Sequence, residues 1–144
     1  MIALTKPLYS TAATASGGRT GRVRSADGAL DLTLAVPAAM GGAAQGEAQP
    51  NPETLFAAGY AACFHSALGV VGRRAKVDTS GSSVTADVTI GVIPGGAYGL
   101  AVELAVEIPG VEKSVAQELA EAAHAVCPYS NATRGNIDVS LRVA

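Results

Sequence analysis

Two cysteines, Cys63 and Cys127, are the residues of this 144-residue chain whose type and setting could carry chemistry. Because we find no signal sequence, we expect a reducing cytoplasm, where stable structural disulfides are rare. Cys63 falls in an apolar segment, in which a cysteine is most often an inert buried side chain. Cys127 precedes Pro128 at a predicted helix end, where a thiol is more accessible. The two are either inert core thiols or a redox pair, and spacing alone leaves both open.

The segment around Cys63 predicts a long helix. Asn51 is a good N-cap, Pro52 suits the first helical position and Glu53 complements the positive end of the helix dipole. We expect this helix to run to about Arg74. It is apolar almost all round, as is typical of a core helix buried on every side rather than of a membrane span. A chain of 144 residues struggles to cover such a helix alone, so we expect a homodimer whose second subunit completes the burial.

A second helix is predicted directly before Cys127, from about Val115 to Val126. Ser114 and Gln117 form a capping-box pattern at its start. Pro128 disfavours helical geometry at the preceding residue, so the helix should end at Cys127. We therefore expect Cys127 at the end of an element, with freedom to move.

The other segments alternate apolar and polar residues as strands do. Asp27-Gly28 predicts one hairpin turn, and Pro94–Ala97 predicts a second hairpin loop. The stretch Pro37–Pro50, rich in glycine and alanine, is either a functional loop or a mere connection. This order predicts one α+β domain over residues 1–144, with mainly antiparallel sheets packed around a long buried central helix. The predicted strands are Arg19–Ser25, Leu30–Val36, Val84–Ile93, Tyr98–Ile108 and Ile137–Val143.

The sequences around both cysteines resemble motifs of the OsmC/Ohr family. NPETLFAAGYAACF, residues 51–64, is similar to the first cysteine motif of that family, and VCPYSNATRGNI, residues 126–137, is similar to the second. GGRTG, residues 17–21, is similar to the segment that carries the family's catalytic arginine. The three motifs follow the family's order over nearly the whole chain. The Cys-Pro-Tyr-Ser form of the second motif resembles the organic hydroperoxide resistance (Ohr) branch.

The resemblance implies an intertwined homodimer that acts as a lipoyl-dependent two-cysteine peroxidase on alkyl and fatty-acid hydroperoxides, protecting against oxidative stress. Cys63 would attack the peroxide, and Cys127 would resolve the resulting sulfenic acid as a disulfide. Arg19 would hold Cys63 as the thiolate, opposing the effect of burial, and orient the peroxide, and Glu53 would position Arg19. No bound cofactor is implied. A lipoyl dithiol, dihydrolipoamide on a lipoylated protein, would reopen the disulfide in preference to glutathione.

Helix geometry adds a point that does not depend on the resemblance. Glu53 and Cys63 are ten residues apart, which is about 15 Å along one straight helix. They also fall on different faces, so one Arg19 side chain cannot easily contact both within a chain. We therefore expect Glu53 to act on the Cys63 of the other subunit, across two antiparallel helices.

Charge and the two histidines narrow the function further. A net charge of −2 without clustered lysines and arginines argues against a nucleic-acid partner. Two cysteines and two histidines at these spacings match no zinc pattern, so no metal site is expected. His65 falls on nearly the opposite face from Cys63, and His124 is interpreted as complementing the helix dipole, with contact to Cys127 as the alternative. Four further residues either line a substrate pocket or, more often, belong to the core: Met40, Phe56, Tyr60 and Phe64.

Two alternative functions remain open at this point. One is an OsmC-type peroxidase with a broader peroxide preference. The other is a non-catalytic thiol redox sensor or ligand-binding module that uses the disulfide as a switch. A sensor gains less than an enzyme does from a peroxide-orienting arginine at position 19, so Arg19 is the residue that separates the two classes.

Overall fold

The structure is a computed structural model that describes residues 1–43 and 48–144. The described residues group into two compact units, Met1–Pro52 and Glu53–Ala144. The central part of the predicted Pro37–Pro50 loop, residues 44–47, lies outside the described residues. Within the rest of that loop, Ala38–Met40 forms one turn of 3-10 helix. That residues 1–144 form a single domain stays a prediction.

The first unit carries a three-stranded antiparallel sheet of β1 (Ala13–Ser16), β2 (Arg22–Ser25) and β3 (Asp31–Thr33), in that order. The hairpin predicted at Asp27-Gly28 joins β2 to β3 and is confirmed. The Asp27 carboxylate accepts the Ala29 N–H at 3.0 Å, and Gly28 adopts a φ of 74°. Strand β1 was not predicted, because its residues carry no apolar face and all four are exposed.

The prediction that a strand begins at Arg19 is wrong. Gly17 and Gly18 have positive φ angles of 74° and 58°, which a strand cannot accommodate. The chain therefore forms a 3-10 turn over Gly18–Thr20 before β2 begins. The predicted strand Leu30–Val36 is also shorter than expected, because pairing with β2 ends at Thr33. Arg19 consequently lies in a turn rather than in a strand.

The second unit carries the other sheet, of β4 (Ser83–Val92), β5 (Tyr98–Glu107) and β6 (Asp138–Val143). All three strands were predicted to within one residue at each end. β4 and β5 form the predicted antiparallel hairpin, whereas β6 pairs with β5 in parallel. β5 is therefore central, and its inward-facing apolar side chains are buried, namely Val102, Leu104 and Val106.

Three helices complete the second unit: α1 (Pro52–Ala75), α2 (Lys113–Val126) and α3 (Pro128–Thr133). α1 matches its prediction closely. The predicted capping box of α2 is wrong, since the cap residue is Glu112, without a side-chain cap hydrogen bond. Gln117 instead donates to Glu121 one turn further on, at 2.9 Å. α3 was not predicted, because Pro128 was interpreted only as the end of the preceding helix.

One face of α1 packs into the core of the second unit, together with β5 and α2. α1 is long and apolar enough to cross a membrane, with 33% of its most apolar window buried. Within this one chain α1 is a core helix covered on one side. That a second subunit completes its burial stays a prediction. The exposed face carries mainly small residues, Ala58, Ala62, His65 and Ser66. The buried residues are Tyr60, Phe64, Ala67, Leu68, Val71 and Gly72.

Candidate active site

The fold brings the two cysteines into contact. Cys63 lies in the middle of α1 and Cys127 lies between α2 and α3, and their Sγ atoms are 3.7 Å apart. Both are free thiols. A disulfide needs about 2.05 Å between the sulfur atoms. The two side chains therefore sit as reduced partners one short movement away from bonding.

The burial of the two cysteines is the reverse of what their sequence positions predicted. Cys127 has 0% of its surface exposed, whereas Cys63 is only half-buried. The expectation that Cys127 is the more accessible thiol is wrong, because Pro128 ends one helix and begins another. α3 starts at the next residue, and Cys127 joins the core cluster that includes Tyr60, Phe64 and Ala123.

The backbone at Cys127 is held from both sides. Its N–H donates to the Ala123 carbonyl at 2.8 Å, which closes α2, and its carbonyl accepts the Asn131 N–H at 2.9 Å, which opens α3. The residue itself is extended, with φ −64° and ψ 125°. Pro128 occupies the first helical position of α3, where the missing N–H is not needed. The predicted helix end at Cys127 is thus confirmed, while its backbone is fixed rather than free.

The surroundings of Cys63 raise its pKa above the ordinary thiol value. Burial is the largest cause, because it disfavours the charged thiolate. A hydrogen bond from the Tyr129 backbone N–H acts in the opposite direction, and the neighbouring Cys127 adds to the increase. Of the causes that act on the pKa of Cys63, this backbone donor is the one that favours the thiolate.

The Tyr129 ring fixes the backbone that faces Cys63. It packs against Phe56 and Tyr60, with ring centroids 6.2 Å and 5.6 Å away. Its hydroxyl lies where a side chain at position 59 would be, since a Cβ on Gly59 would meet Tyr129 Oη at 2.9 Å. A glycine inside the long predicted helix was the sequence signal for this close approach.

An apolar cavity of about 420 Å³ opens at Cys63. A second cavity, of about 560 Å³, lies between α1 and α2 and shares Arg74 and Val126 with the first. Of the four residues predicted as either pocket or core, Tyr60 and Phe64 are fully buried in the core, and none of the four lines the first cavity. The lining residues are Cys63, Ser66, Ala67, Val70, Arg74, Val126 and Pro128.

Arg19 and Glu53 occupy different parts of the chain. Arg19 is half-buried in the 3-10 turn of the first unit. Glu53 is half-buried in the first turn of α1, ten residues before Cys63 on the same unbroken helix. The structure thus brings together Cys63 and Cys127, while the roles of Arg19 and Glu53 stay predictions.

Both histidines form hydrogen bonds with serine residues. His65 Nε2 lies 3.1 Å from the Ser82 carbonyl and 3.0 Å from the Ser82 hydroxyl, away from the cysteines. His124 Nδ1 lies 2.8 Å from Ser130 Oγ. Burial, and then the nearby Arg134 guanidinium, lower the pKa of His124. An uncharged imidazole is therefore favoured over a cation that complements the helix dipole.

An α+β fold that holds two thiols in contact beside an apolar cavity defines a thiol redox protein. Residues 44–142 match the model of the OsmC-like protein family. The chain is 53% identical over 140 residues to the organic hydroperoxide resistance protein of Xanthomonas axonopodis pv. citri, which covers 96% of each chain. It is 47% identical over 144 residues to OhrA of Bacillus subtilis, covering 98% of this chain and 99% of that one.

Solved structures agree with the sequence comparisons. An organic hydroperoxide resistance protein from Elizabethkingia anophelis superposes with a TM-score of 0.90 at 54% identity, covering 97% of this chain and 99% of that one. OhrB of Bacillus subtilis gives 0.86 at 40% identity, covering 96% and 100%. The chain therefore belongs to the OsmC/Ohr family, in its organic hydroperoxide resistance branch.

Proposed function

We propose that this protein is a two-cysteine peroxidase that reduces organic hydroperoxides to alcohols. The observation that carries the proposal is the contact between Cys63 and Cys127, at 3.7 Å, with Cys63 facing an apolar cavity. An alkyl or fatty-acid chain can be buried in such a cavity, which favours organic hydroperoxides over hydrogen peroxide. The relatives named above, organic hydroperoxide resistance proteins, support the same substrate class.

The reaction has two covalent steps. The Cys63 thiolate attacks the terminal peroxide oxygen; an S–O bond forms, the O–O bond breaks, and the departing alkoxide takes a proton to become the alcohol. Cys63 is then a sulfenic acid. The Cys127 sulfur attacks the Cys63 sulfur, the hydroxyl leaves as water, and the disulfide forms. The sulfur atoms close from 3.7 Å to about 2.05 Å.

Arg19 would supply the positive charge that the Cys63 thiolate needs. Burial raises the pKa of Cys63, and the Tyr129 N–H only partly opposes it. A guanidinium stays charged at every physiological pH and offers several donors to a thiolate and a peroxide. Glu53 would fix the orientation of that guanidinium.

A homodimer is part of the proposal, with Glu53 acting on the Cys63 of the other subunit. Two features support it. Glu53 and Cys63 lie on one unbroken helix, about 15 Å apart along its axis. The outward face of that helix, with Ala58, Ala62 and Ser66, is left exposed by its own chain. Small side chains allow two helices to approach closely, so this face fits a second copy of α1.

Mixed dimers test the cross-subunit arrangement. A Cys63→Ser chain is combined with a Glu53→Gln chain after each has been purified alone. If Glu53 acts across the interface, the mixed dimer holds one intact site and regains up to half of the wild-type activity per dimer. If Glu53 acts within its own chain, no intact site exists and the mixture stays as inactive as its parents, which contradicts the arrangement.

The disulfide would be reopened by dihydrolipoamide carried on a lipoylated protein, which would be the partner of this enzyme in the cytoplasm. A dithiol is suited to the task because its second thiol releases the first from the mixed disulfide. Half-burial of Cys63 beside the cavity leaves an approach for a slender lipoyl arm. We assign no bound cofactor, metal ion or nucleic acid to the reaction.

A coupled peroxidase assay tests the activity directly. Wild type, Cys63→Ser and Cys127→Ser are compared with cumene hydroperoxide and hydrogen peroxide, each with a lipoyl dithiol and with glutathione. We expect turnover by wild type only, fastest with the organic peroxide and the lipoyl dithiol. Equal rates on both peroxides would favour the OsmC-type alternative. Stoichiometric oxidation without turnover would favour the redox sensor and overturn the proposal.

A further inference from the structure

Four side chains beside Cys127 form a chain of hydrogen bonds that takes no part in the chemistry above. His124 Nδ1 lies 2.8 Å from Ser130 Oγ, which lies 2.9 Å from the Tyr60 hydroxyl. That hydroxyl lies 3.1 Å from Thr133 Oγ1, which donates to the Ser130 carbonyl at 3.2 Å. Tyr60 and Ser130 have no exposed surface, so their hydroxyl groups depend on these partners.

The bond from Thr133 to the Ser130 carbonyl sets the direction of this series of hydrogen bonds, because each hydroxyl has a single proton. Thr133 uses its proton on the Ser130 carbonyl, so its oxygen must accept from Tyr60. Tyr60 then has to accept from Ser130, and Ser130 has to accept from His124. It follows that Nδ1 of His124 carries a hydrogen and donates it.

The same argument places the lone pair of the imidazole. A neutral histidine has one N–H, so a donating Nδ1 leaves Nε2 unprotonated. Burial and the Arg134 guanidinium lower the pKa of His124, and both favour the neutral ring at physiological pH. Arg134 also donates to the His124 carbonyl. The arginine therefore both holds the backbone of His124 and favours its neutral imidazole.

The chain of hydrogen bonds ties together the three helices that hold the cysteines. Tyr60 lies three residues before Cys63 on α1, and His124 lies three residues before Cys127 on α2. Ser130 lies three residues after Cys127 on α3. Because Cys127 is the single residue between α2 and α3, the direction of its side chain depends on the angle at which these two helices meet. The bond from His124 to Ser130 spans that angle.

We propose that His124, held as the Nδ1–H tautomer, is a positioning residue that keeps Cys127 turned toward Cys63. This rests on the proposed function, since positioning matters only if Cys127 resolves a sulfenic acid at Cys63. With the bond intact, Cys127 is in contact with Cys63 before the peroxide arrives. Without it, α3 is held less firmly against α2 and the Cys127 side chain can turn from Cys63, so the sulfenic acid persists until a second peroxide oxidises it to sulfinic acid.

Nuclear magnetic resonance reads the tautomer directly. A long-range ¹H–¹⁵N correlation spectrum of the reduced full-length protein, slightly above neutral pH, contains only two imidazoles, and a His65→Gln variant assigns them. We expect the nitrogen shifts and couplings of the Nδ1–H tautomer for His124. An Nε2–H tautomer would overturn the directional argument. No peroxide is needed, so this result is independent of the proposed function.

A matched pair of variants then tests the positioning role. His124→Asn keeps an N–H close to the Nδ1 position, whereas His124→Leu keeps the bulk but removes the donor. After one equivalent of cumene hydroperoxide, quenched-flow mass spectrometry follows the sulfenic acid and the disulfide separately. We expect attack at Cys63 to be unchanged in both variants. Disulfide formation should slow about tenfold in the leucine variant and less than about threefold in the asparagine variant, since a buried hydrogen bond is lost only in the former.

Tyr60→Phe interrupts the same series of hydrogen bonds at another point and serves if His124→Leu fails to fold. His65→Asn and His65→Leu are the control variants. Phenylalanine keeps the core packing of Tyr60 and removes only the hydroxyl that links Ser130 to Thr133. It should also slow disulfide formation and let sulfinic acid accumulate with excess peroxide. Unchanged disulfide formation in Tyr60→Phe and His124→Leu, or equal slowing by asparagine and leucine at 124, would overturn the proposal. Failure of wild type to form a sulfenic acid would instead overturn the proposed function.

Discussion

The two cysteines, 3.7 Å apart, occupy unlike surroundings. Cys63 lies inside a continuous helix, half-buried, and opens onto an apolar cavity. Cys127 lies at a junction between two helices, fully buried, with its backbone held on both sides. In the proposed reaction the attacking thiol must be reached by a substrate and must ionise, whereas the resolving thiol must be held in a fixed place. Burial, rather than position within or at the end of a helix, separates the two proposed roles.

The largest effect is expected from oxidising each cysteine without its partner. In Cys127→Ser, excess cumene hydroperoxide should drive Cys63 through sulfenic to sulfinic acid, because nothing resolves the first product. In Cys63→Ser, the enclosed Cys127 should stay a free thiol under the same treatment. Peptide mass spectrometry distinguishes the two products. Sulfinic acid at Cys127 of the Cys63→Ser chain would break the comparison.

Alkylation of the reduced protein probes the same difference without peroxide. Iodoacetamide should label Cys63 directly, whereas Cys127 reacts only after local opening of the α2–α3 junction. An opening free energy of about 2.7 kcal/mol would make Cys127 slower by roughly a hundredfold. The raised pKa of Cys63 slows its own reaction at neutral pH, so the comparison is made above pH 9 as well. Equal rates in the folded protein would show that burial does not separate the two thiols.

Much of the second unit could be predicted from the sequence, because its signals are local. Asn51-Pro52-Glu53 marked the start of α1, alternation marked the three strands, and Pro128 marked the end of α2. The cysteine pair was found through the family motifs on either side. The predictions for α1, the three strands and the end of α2 depend on residues that are neighbours in the chain, and each is confirmed to within a few residues. The pairing of the two cysteines came from the resemblance instead.

The errors lie where backbone conformation and the packing of helices decide the structure. Pro128 was interpreted only as the end of α2, although proline is also favoured at the first position of a helix. Because α3 begins at Pro128, Cys127 is buried and Ser130 lies within hydrogen-bond distance of His124. The start of β2 was misplaced because Gly17 and Gly18 take positive φ angles. Neither outcome can be read from hydrophobic alternation, since it depends on backbone conformation and on which helix packs against which.

A Gly59→Ala substitution tests whether the Tyr129 backbone N–H stabilises the thiolate of Cys63. The added Cβ would meet Tyr129 Oη at 2.9 Å, so the tyrosine ring must shift, and we expect its backbone to follow. That shift weakens the hydrogen bond from the Tyr129 N–H to Cys63, so the pKa of Cys63 rises further. We expect about three- to tenfold lower activity near neutral pH, in line with about 0.5–1.5 kcal/mol for one hydrogen bond. The rate should recover as the pH is raised. Adding Tyr129→Phe removes the clashing oxygen and should restore part of the activity; no recovery would mean that Gly59 acts in another way.

The smallest expected effect is on how the free energy of unfolding depends on pH, through His124 beside Cys127. Because the pKa of His124 is lowered in the folded protein, the unfolded chain binds more protons once the pH falls below the ordinary histidine value of about 6.5. Stability should therefore be level above that pH and decline as the pH drops through the folded pKa.

The carboxylates with lowered pKa values, Asp27, Asp31 and Asp78, act in the same direction but only below about pH 4. Urea unfolding at pH 7.5 and pH 5 compares wild type with His124→Asn, which should lose less stability over this interval. An identical loss in both proteins would show that the loss of stability at low pH does not arise from His124. The burial of Cys127 would then be independent of the ionisation of His124.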